Sequence, residues 1–343
     1  MQGKSELIKK RVGELLAEGK AQRVLGWIRG EFDWERTPAV FETPEEFEAN
    51  FIYDEFCGAN LCKYLINACK KDGTTLILAK PCDTYGINML IKEHRVPREK
   101  VYILGIGCSG KADINKLRDM GIRGITSVED GEGDELTVHT LYGDKTVKKN
   151  DVKLMKCLTD GKRVHAVSDE IICDEGPNPD AVDRMAEVEK LEAMTPDERF
   201  AFWRGELSRC IRCNACRNVC PVCTCEKCVF DNENSGIASK APTTDFEENM
   251  FHIIRAFHVA GRCTDCGECS RVCPQHIPLH LLNRKFIKDI DEFYGEFQAG
   301  VDPEAKSPLT SFTRRADLSP PSPRAMQSRV QILNEEGRSD EKD

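Results

Sequence analysis

The chain has 343 residues, a formal net charge of −9 and 18 cysteines. That length accommodates two domains, each with its own core. The acidic balance lacks the basic footprint of a nucleic-acid-binding protein, and no apolar run is long enough to span a membrane. The polar N-terminus does not resemble a secretory signal, so the many cysteines indicate metal binding in the reducing cytoplasm.

The first 176 residues alternate between predicted helices and strands. Apolar spacing predicts a helix over 5–19 and a strand over 23–30, and Thr43-Pro44 begins a helix with three phenylalanines. The next predicted elements are helix 61–71, strand 74–79, helix 85–94, strand 101–106, helix 114–120 and strand 124–128. Continuously apolar strands separated by helices are typical of parallel sheets. We therefore predict an α/β N-terminal domain with a parallel sheet over residues 1–176.

Two cysteines directly follow predicted strands. Cys82 comes after strand 74–79, and Cys108 comes after strand 101–106. Because binding sites in parallel sheets lie at the carboxyl ends of strands, we expect these two thiols to approach one another.

Three segments carry motifs around these positions: a Pro-Cys in residues 80–83, a Gly-x-x-Cys in residues 101–110, and Cys157 in residues 151–159. Together they resemble the deazaflavin-coenzyme hydrogenase/dehydrogenase beta-subunit family, over about residues 50–176. The resemblance implies a third iron–sulfur cluster beside a flavin, with Cys82, Cys108 and Cys157 as its ligands.

The fourth ligand of that cluster is an open question. The family motif is C-x2-C, but here the second position is Asp160. Three alternatives follow: Asp160 ligates through oxygen, Cys173 supplies the missing thiolate, or the site is empty. In the last case the cysteines are small buried side chains.

A flavin is implied by the resemblance alone. Candidate FAD-binding residues on that basis are Lys80, Pro81, Asp83, Gly107 and Gly110. The glycines after strand 101–106 do not form the G-x-G-x-x-G fingerprint of a dinucleotide site. Residues 131–143 are predicted to form a small hairpin, and Cys62 and Cys69 are predicted to pack in the core.

Residues 177–207 are predicted to be a linker followed by a helix. That helix begins at the capping box Thr195-Pro196-Asp197-Glu198 and leads into Cys210.

The segment from Cys210 to Pro274 contains two copies of C-x2-C-x2-C-x3-C-P, the pattern of a bacterial two-cluster ferredoxin. In this pattern three thiolates on one loop face one cubane, and the fourth cysteine ligates the other cluster. The predicted ligands of cluster 1 are Cys210, Cys213, Cys216 and Cys273. The predicted ligands of cluster 2 are Cys263, Cys266, Cys269 and Cys220. Structural zinc sites use paired C-x2-C motifs instead.

The two quartets are separated by residues 221–262, which is longer than a compact ferredoxin hairpin allows. Residues 246–260 have helical spacing, and 277–297 continue as helix. The module therefore resembles the helical dicluster ferredoxin of succinate-dehydrogenase-type iron–sulfur subunits. His252 and His258 on the first helix are expected to pack or face solvent. Arginines near the quartets either offset cluster charge or form a solvated face: Arg209, Arg212, Arg217, Arg262 and Arg271.

Three more cysteines, Cys223, Cys225 and Cys228, directly follow the first quartet. They either bind a further cluster or metal, with Cys57 or Cys173 as fourth ligand, or pack as structural thiols on cluster 1. The stretch resembles iron–sulfur subunits of heterodisulfide-reductase-type complexes.

The predicted fold is an α/β N-terminal domain, a linker and helix over 177–207, a mostly α-helical dicluster ferredoxin domain over 208–298, and a disordered tail over 299–343 rich in Pro, Ser and charge. The predicted function is a cytoplasmic electron-transfer subunit. The resemblance implies partners of the hydrogenase, formate dehydrogenase or heterodisulfide-reductase type. One alternative is an FAD-containing catalytic subunit acting on a deazaflavin or NADH; another is a metal-stabilised docking scaffold.

Overall fold

A computed structural model describes residues 2–232, 234 and 245–311 of the chain. Most of the predicted disordered tail, residues 312–343, lies outside the described residues. The strands are β1 (Arg23–Arg29), β2 (Arg36–Phe41), β3 (Thr75–Ala79), β4 (Val101–Ile106), β5 (Ile125–Asp130), β6 (Glu135–Thr140), β7 (Lys145–Lys148) and β8 (Glu170–Ile172).

The helices divide between an N-terminal part, residues 2–176, and a C-terminal part, residues 177–311. The N-terminal helices are α1 (Gln2–Ala17), α2 (Pro44–Asn50), α3 (Leu65–Ala68), α4 (Pro81–Lys92), α5 (Ile114–Asp119), α6 (Lys149–Val152) and α7 (Met155–Thr159). The C-terminal helices are α8 (Ala186–Glu192), α9 (Pro196–Leu207), α10 (Ala215–Val219), α11 (Asp245–Val259), α12 (Glu268–Arg271) and α13 (Leu279–Tyr294).

The main sheet confirms the predicted parallel pairing. Its strand order is β2-β1-β3-β4-β8, in which β1 with β3, β3 with β4, and β4 with β8 are parallel. Every residue of β3 is buried because helices cover both faces, which explains its continuously apolar sequence. At the edge, β2 pairs with β1 in the antiparallel direction, and the sequence analysis did not predict this strand.

The prediction that residues 124–128 add a strand to the parallel sheet is wrong. They fall in β5, which pairs with β6 and β7 in a separate antiparallel sheet. Only two of the six β5 residues are buried, as expected of a sheet with one solvated face. The last parallel strand is β8, whose end carries Cys173.

Several helix boundaries differ from the predictions for local reasons. α2 ends at Asn50, so Phe51 lies just beyond it, yet Phe51 still stacks on Phe47 with ring centroids 4.6 Å apart. α4 begins at Pro81 because Pro suits the first helical position and the Asp83 side chain accepts from the Lys80 N–H at 3.1 Å. Cys82 therefore lies in the first turn of α4.

The C-terminal part is helical, as predicted. α9 begins at the Thr195–Glu198 capping box, and both of its reciprocal hydrogen bonds are present. α11 packs against α9 and α13, and Phe251 of α11 joins a core with Cys216 and Cys269. Among residues 2–232, 234 and 245–311, no helix has the length and apolar character needed to cross a membrane.

Gly107 provides a test of how β4 and β8 meet. A side-chain carbon at this position would collide with the backbone carbonyl of Cys173. We expect Gly107→Ala to destabilise the protein by about 1–3 kcal/mol through overpacking, measured by chemical unfolding followed by circular dichroism. Gly13→Ala in α1 is the control, because Gly13 has open space around it, and we expect a gain of about 0.5–1 kcal/mol. This packing would be contradicted if the Gly107→Ala variant unfolded at the same denaturant concentration as the unsubstituted protein, or at a higher one.

Candidate metal centres

The two ferredoxin loops have the same backbone conformation. Arg212 and Asp265, each before the second cysteine of its loop, have φ of 51° and 57°. Asn214 and Gly267, each after that cysteine, have φ of 61° and 66°. Alternating right- and left-handed residues curl a chain so that its N–H groups point inward, which is the concave arrangement that binds anions and iron–sulfur clusters.

Each loop also ends in the same turn. Cys223 N–H donates to the Cys220 carbonyl at 3.2 Å, and His276 N–H donates to the Cys273 carbonyl at 3.0 Å. The proline inside each turn lacks an N–H and ends the preceding helix.

The structure groups the eight cysteines around two cavities. One cavity is lined by Cys210, Cys213, Cys216 and Cys273. The other is lined by Cys263, Cys266, Cys269 and Cys220. The fourth cysteine crosses to the other loop because the short helices α10 and α12 carry it away from its own loop. This is the grouping that the sequence predicts for clusters 1 and 2, and the two spaces are called cavity 1 and cavity 2 below.

Buried thiols in these cavities favour their protonated form in the bare polypeptide. Burial raises the pKa of Cys216 to about 11, and burial also raises the pKa of Cys269. A bound metal supplies the positive charge that deprotonates such thiols. Cys213 differs from the other seven because its side chain is exposed, so cavity 1 opens toward the surface.

Each cavity has a polar side chain that contacts a cysteine sulfur. His252 Nε2 lies 3.2 Å from Cys210 Sγ, and Asn283 Nδ2 lies 3.7 Å from Cys269 Sγ. The pKa of His252 is lowered to about 3 by burial and by the charges of Arg255 and Arg212, so the ring is neutral. With a thiolate as acceptor, its Nε2 is the protonated nitrogen. His252 is buried, as expected of a packing residue, and also contacts a cysteine sulfur, whereas His258 is exposed.

Within the described ranges, no group of three or more His, Cys, Asp or Glu side chains could hold a single metal ion, and no cysteines are joined as a disulfide. A cubane differs from one ion because it receives each thiolate at a separate corner. The curled loops, the cysteine-lined cavities and the N–H groups near sulfur fit such a cluster.

The N-terminal part brings Cys82, Cys108 and Cys157 into one neighbourhood. Leu154 N–H donates to the Lys111 carbonyl at 2.8 Å, which ties the segment before Cys157 to the segment after Cys108. Burial and the charge of the nearby Cys108 together raise the pKa of Cys157 to about 11. Burial raises the pKa of Cys82, and the charge of Cys157 raises it as well. We call these three residues the front site.

Three buried lysines surround the front site. Lys80, Lys111 and Lys156 are at most 9% exposed. Lys111 lies near Cys108, and Lys156 lies near both Cys82 and Cys157. Buried ammonium groups next to thiols fit a site that holds an anionic cluster, because each cation stabilises thiolate over thiol.

Both candidate fourth ligands lie near the front site. Burial raises the pKa of Tyr85, and the charges of Asp160 and Cys82 raise it as well, so both groups lie near this tyrosine. The Asp160 carboxylate also accepts from the Arg163 N–H at 3.1 Å. Cys173, with φ of 54°, packs its backbone on Gly107. The choice between oxygen and sulfur ligation therefore stays open.

The predicted flavin residues make defined contacts within the chain. Lys80 donates to the Ala59 carbonyl at 2.8 Å and pairs with Asp83 at 2.9 Å, and both side chains are buried. Lys80 also lies over the Trp27 ring, 4.2 Å from its centroid. Pro81 begins α4, while Gly107 and Gly110 are packed against Cys173 and against Lys153 and Cys157. FAD binding by this set stays a prediction.

The remaining cysteines divide between core and surface. Cys62 and Cys69 are buried, which confirms their predicted core packing. Cys57 packs against Ile52 and Asp54, so it lies in the N-terminal core. Cys223 and Cys228 are partly buried and Cys225 is exposed. No single-ion site forms from this trio in the described part of the chain, and a further cluster there stays a prediction.

A buried ion-pair network joins the front site to cavity 2. Glu268, between Cys266 and Cys269, is fully buried and accepts from the Asn60 N–H at 3.1 Å. Its carboxylate also pairs with Lys156 and accepts twice from Arg271, at 2.9 and 2.8 Å. Burial alone would raise the pKa of Glu268, but Arg271 and Lys156 lower it below its usual value. The pair of Lys156 with Glu268 thus connects the residue before Cys157 to helix α12 beside cavity 2.

Neither Glu268 nor Arg255, a buried arginine of α11, was singled out in the sequence. Glu268 lies within the second quartet, where an acidic residue beside a negatively charged cluster is unexpected. This unexpected position is the feature of the sequence that could have indicated its role. Arg255 lies between predicted apolar positions of α11, and a charge on the apolar face of a helix would have indicated it.

The first comparison with known proteins concerns the C-terminal part. A family model described as a 4Fe-4S dicluster domain matches residues 206–277, which include both quartets. A second, more specific similarity extends through the N-terminal part. The chain is 23% identical to the F420-dependent formate dehydrogenase subunit beta of Methanocaldococcus jannaschii, over 71% of this chain and 77% of the relative.

It is also 25% identical to the F420-dependent formate dehydrogenase 1 subunit beta of Methanococcus maripaludis, over 86% of this chain and 90% of the relative. A solved structure of the F420-reducing [NiFe] hydrogenase complex from Methanosarcina barkeri matches at 15% identity and a TM-score of 0.36, over 44% of this chain and 57% of that chain. The resemblance to a deazaflavin-coenzyme beta subunit with an iron–sulfur module is confirmed by the formate dehydrogenase relatives and the dicluster match.

The network around Glu268 gives a stability prediction. Glu268→Ala leaves Lys156 and Arg271 without their buried partner, and we expect a loss of about 3–5 kcal/mol. The measurement is the midpoint of anaerobic chemical unfolding, together with the rate of proteolysis between the two parts. The control is Glu187→Ala, which removes an exposed pair with Lys190 and should cost less than about 1 kcal/mol. Equal effects of the two substitutions would contradict the interdomain role of Glu268.

Proposed function

We propose that this protein is an iron–sulfur electron-transfer subunit of a multi-subunit redox complex. The observation that carries the proposal is that its three cysteine sets are connected in sequence. The front site is joined to cavity 2 through Lys156 and Glu268, and each of the two cavities receives one cysteine from the loop of the other. Cavity 1 reaches the surface at Cys213. Such an order suits single electrons that enter at one end and leave at the other.

The residues of the two cavities have separate roles in this proposal. Cys210, Cys213, Cys216 and Cys273 would hold cluster 1, and Cys263, Cys266, Cys269 and Cys220 would hold cluster 2. When bound, 4Fe–4S clusters accept and release one electron at a time. The polypeptide fixes their spacing, donates from His252 and Asn283 to their ligand sulfurs, and excludes water with Phe251, Ile277 and Leu279.

The class of partner is proposed from the relatives. Both are named as beta subunits of F420-dependent formate dehydrogenases, which implies a separate subunit that carries the formate chemistry. We therefore propose a formate dehydrogenase-type partner, with hydrogenase and heterodisulfide-reductase types as the alternatives. The exposed Cys213 and Ile211 form the natural contact point, because Ile211 is an apolar side chain left 60% exposed beside cluster 1.

The first test is the content of iron, acid-labile sulfide and flavin in anaerobically purified protein. Two clusters give about eight irons per chain, and a filled front site gives about twelve. We expect Cys213→Ala to lose about four irons and to abolish reduction of the partner while the folded chain remains. Cys69→Ala, a core position, is the control and should keep its full iron content. Two or fewer irons in the unsubstituted chain would refute the proposal, and unimpaired electron transfer by Cys213→Ala would favour a docking scaffold.

A second candidate function is a catalytic subunit that exchanges hydride with a deazaflavin or NADH. The specific observation in its favour is that both relatives are named as F420-dependent. Its test is the isolated chain mixed with reduced deazaflavin under anaerobic conditions. Stoichiometric bound FAD and donor-dependent bleaching of the cluster absorbance would move this candidate to first place. Clusters that stay oxidised in the isolated chain would leave electron relay as the function.

A further inference from the structure

Helix α11 lies alongside both cavities. His252 contacts Cys210 of cavity 1. Val259 packs in a cluster with Cys220 and Cys263 of cavity 2. Arg255 stands three residues after the first and four residues before the second, and such spacings share one face of a helix. Its side chain therefore projects from α11 at the level between the two cavities.

Arg255 is buried, and its donors meet no oxygen acceptor among the described residues. It is 2% exposed, and no oxygen in the described part of the chain accepts from any of its three guanidinium nitrogens. A guanidinium carries five N–H donors and remains charged under all ordinary conditions. A buried charge of this kind is strongly destabilising unless it has a partner. The partner of Arg255 is therefore a group that the polypeptide oxygens do not supply.

The surroundings of Arg255 are sulfur atoms from both quartets. Burial acts to lower the pKa of Arg255, but the charges of Cys269, Cys216, Cys220 and Cys223 outweigh it and raise the pKa. Cys216 belongs to the predicted ligands of cluster 1, whereas Cys269 and Cys220 belong to those of cluster 2.

We propose that Arg255 is the shared countercharge of the two clusters, a positioning and tuning residue whose N–H groups face sulfur on both sides. The proposal rests on the two clusters of the proposed function. Each reduction adds one electron, and hence one negative charge, to a cluster. A fixed cation nearby stabilises the reduced form and raises its reduction potential. Because Arg255 lies between the cavities, it acts on both potentials and offsets the repulsion between two reduced clusters.

Arginine suits this position better than lysine. Its planar fork presents donors in several directions at once, while an ammonium is a compact point charge on a flexible stem. We expect Arg255→Lys to keep the charge but to contact the sulfurs of one side less well. Its effects should therefore be smaller than those of Arg255→Gln, which removes the charge.

The experiment measures both reduction potentials by electron paramagnetic resonance during a redox titration of the full chain, with iron and sulfide counts for each variant. We expect Arg255→Gln to keep about eight irons and to move both midpoint potentials to lower values. Arg255→Lys should move both in the same direction by less. His252→Phe, which removes one N–H from Cys210, should lower the potential of cluster 1 alone.

The matched control is Arg209→Gln. Arg209 is adjacent to Cys210 in sequence, but its side chain is 46% exposed and pairs with Glu206, so both potentials should stay unchanged. The inference is overturned if Arg255→Gln leaves both potentials unchanged or moves only one of them. If Arg255→Gln loses its clusters, unchanged potentials in Arg255→Lys overturn it. An unsubstituted chain without two clusters refutes the proposed function instead, and the iron count separates that failure from a failure of the Arg255 proposal.

Discussion

The buried carboxylate of Glu268 is the interaction on which the arrangement of this molecule depends. It accepts hydrogen bonds from both halves of the chain: from Asn60 and Lys156 in the N-terminal part and from Arg271 beside it. Buried ion pairs contribute little net stability, but they penalise any arrangement that separates their members. Since Glu268 lies between two cysteines of cavity 2 and Lys156 precedes Cys157, this network fixes the front site relative to the ferredoxin loops. The bidentate pair of Arg262 with Glu93, at 2.7 and 2.6 Å, holds the same two parts together at another point.

The distribution of charge follows from the same constraint. The chain is acidic overall, with a net charge of −9, yet its interior holds the cations Lys80, Lys111, Lys156 and Arg255. An apolar core of the same size would not tolerate these groups, because each pays a desolvation penalty. Every one of them lies near thiols that become anionic when a metal binds. The interior thus concentrates positive charge next to cysteines, although the chain as a whole is acidic.

Sequence patterns predicted the parts of this structure that depend on local spacing. The quartets gave the cysteine grouping of both cavities because a short loop can reach only one centre, and the apolar runs gave the parallel pairing of β1, β3 and β4. Sequence patterns did not predict the features that depend on tertiary contacts. β8 is three residues long and is a strand only because β4 lies beside it. The contacts of His252 and Arg255 depend on the packing of α11 against loops far away in the sequence. Asn60 and Lys156, two of the hydrogen-bond partners of Glu268, come from two distant segments, which no single-sequence pattern connects.

The exposure of Cys213 has a consequence for the proposed cluster 1. The opening at this cysteine would also admit dissolved dioxygen to a cluster bound in cavity 1. Phe251, Ile277 and Leu279 line the cavity together with the three less exposed cysteines, so attack by air would begin at the Cys213 corner. A docked partner would cover that corner, and assembly would then serve as a shield as well as a connection. On this basis the subunit is most vulnerable between its synthesis and its incorporation into a complex.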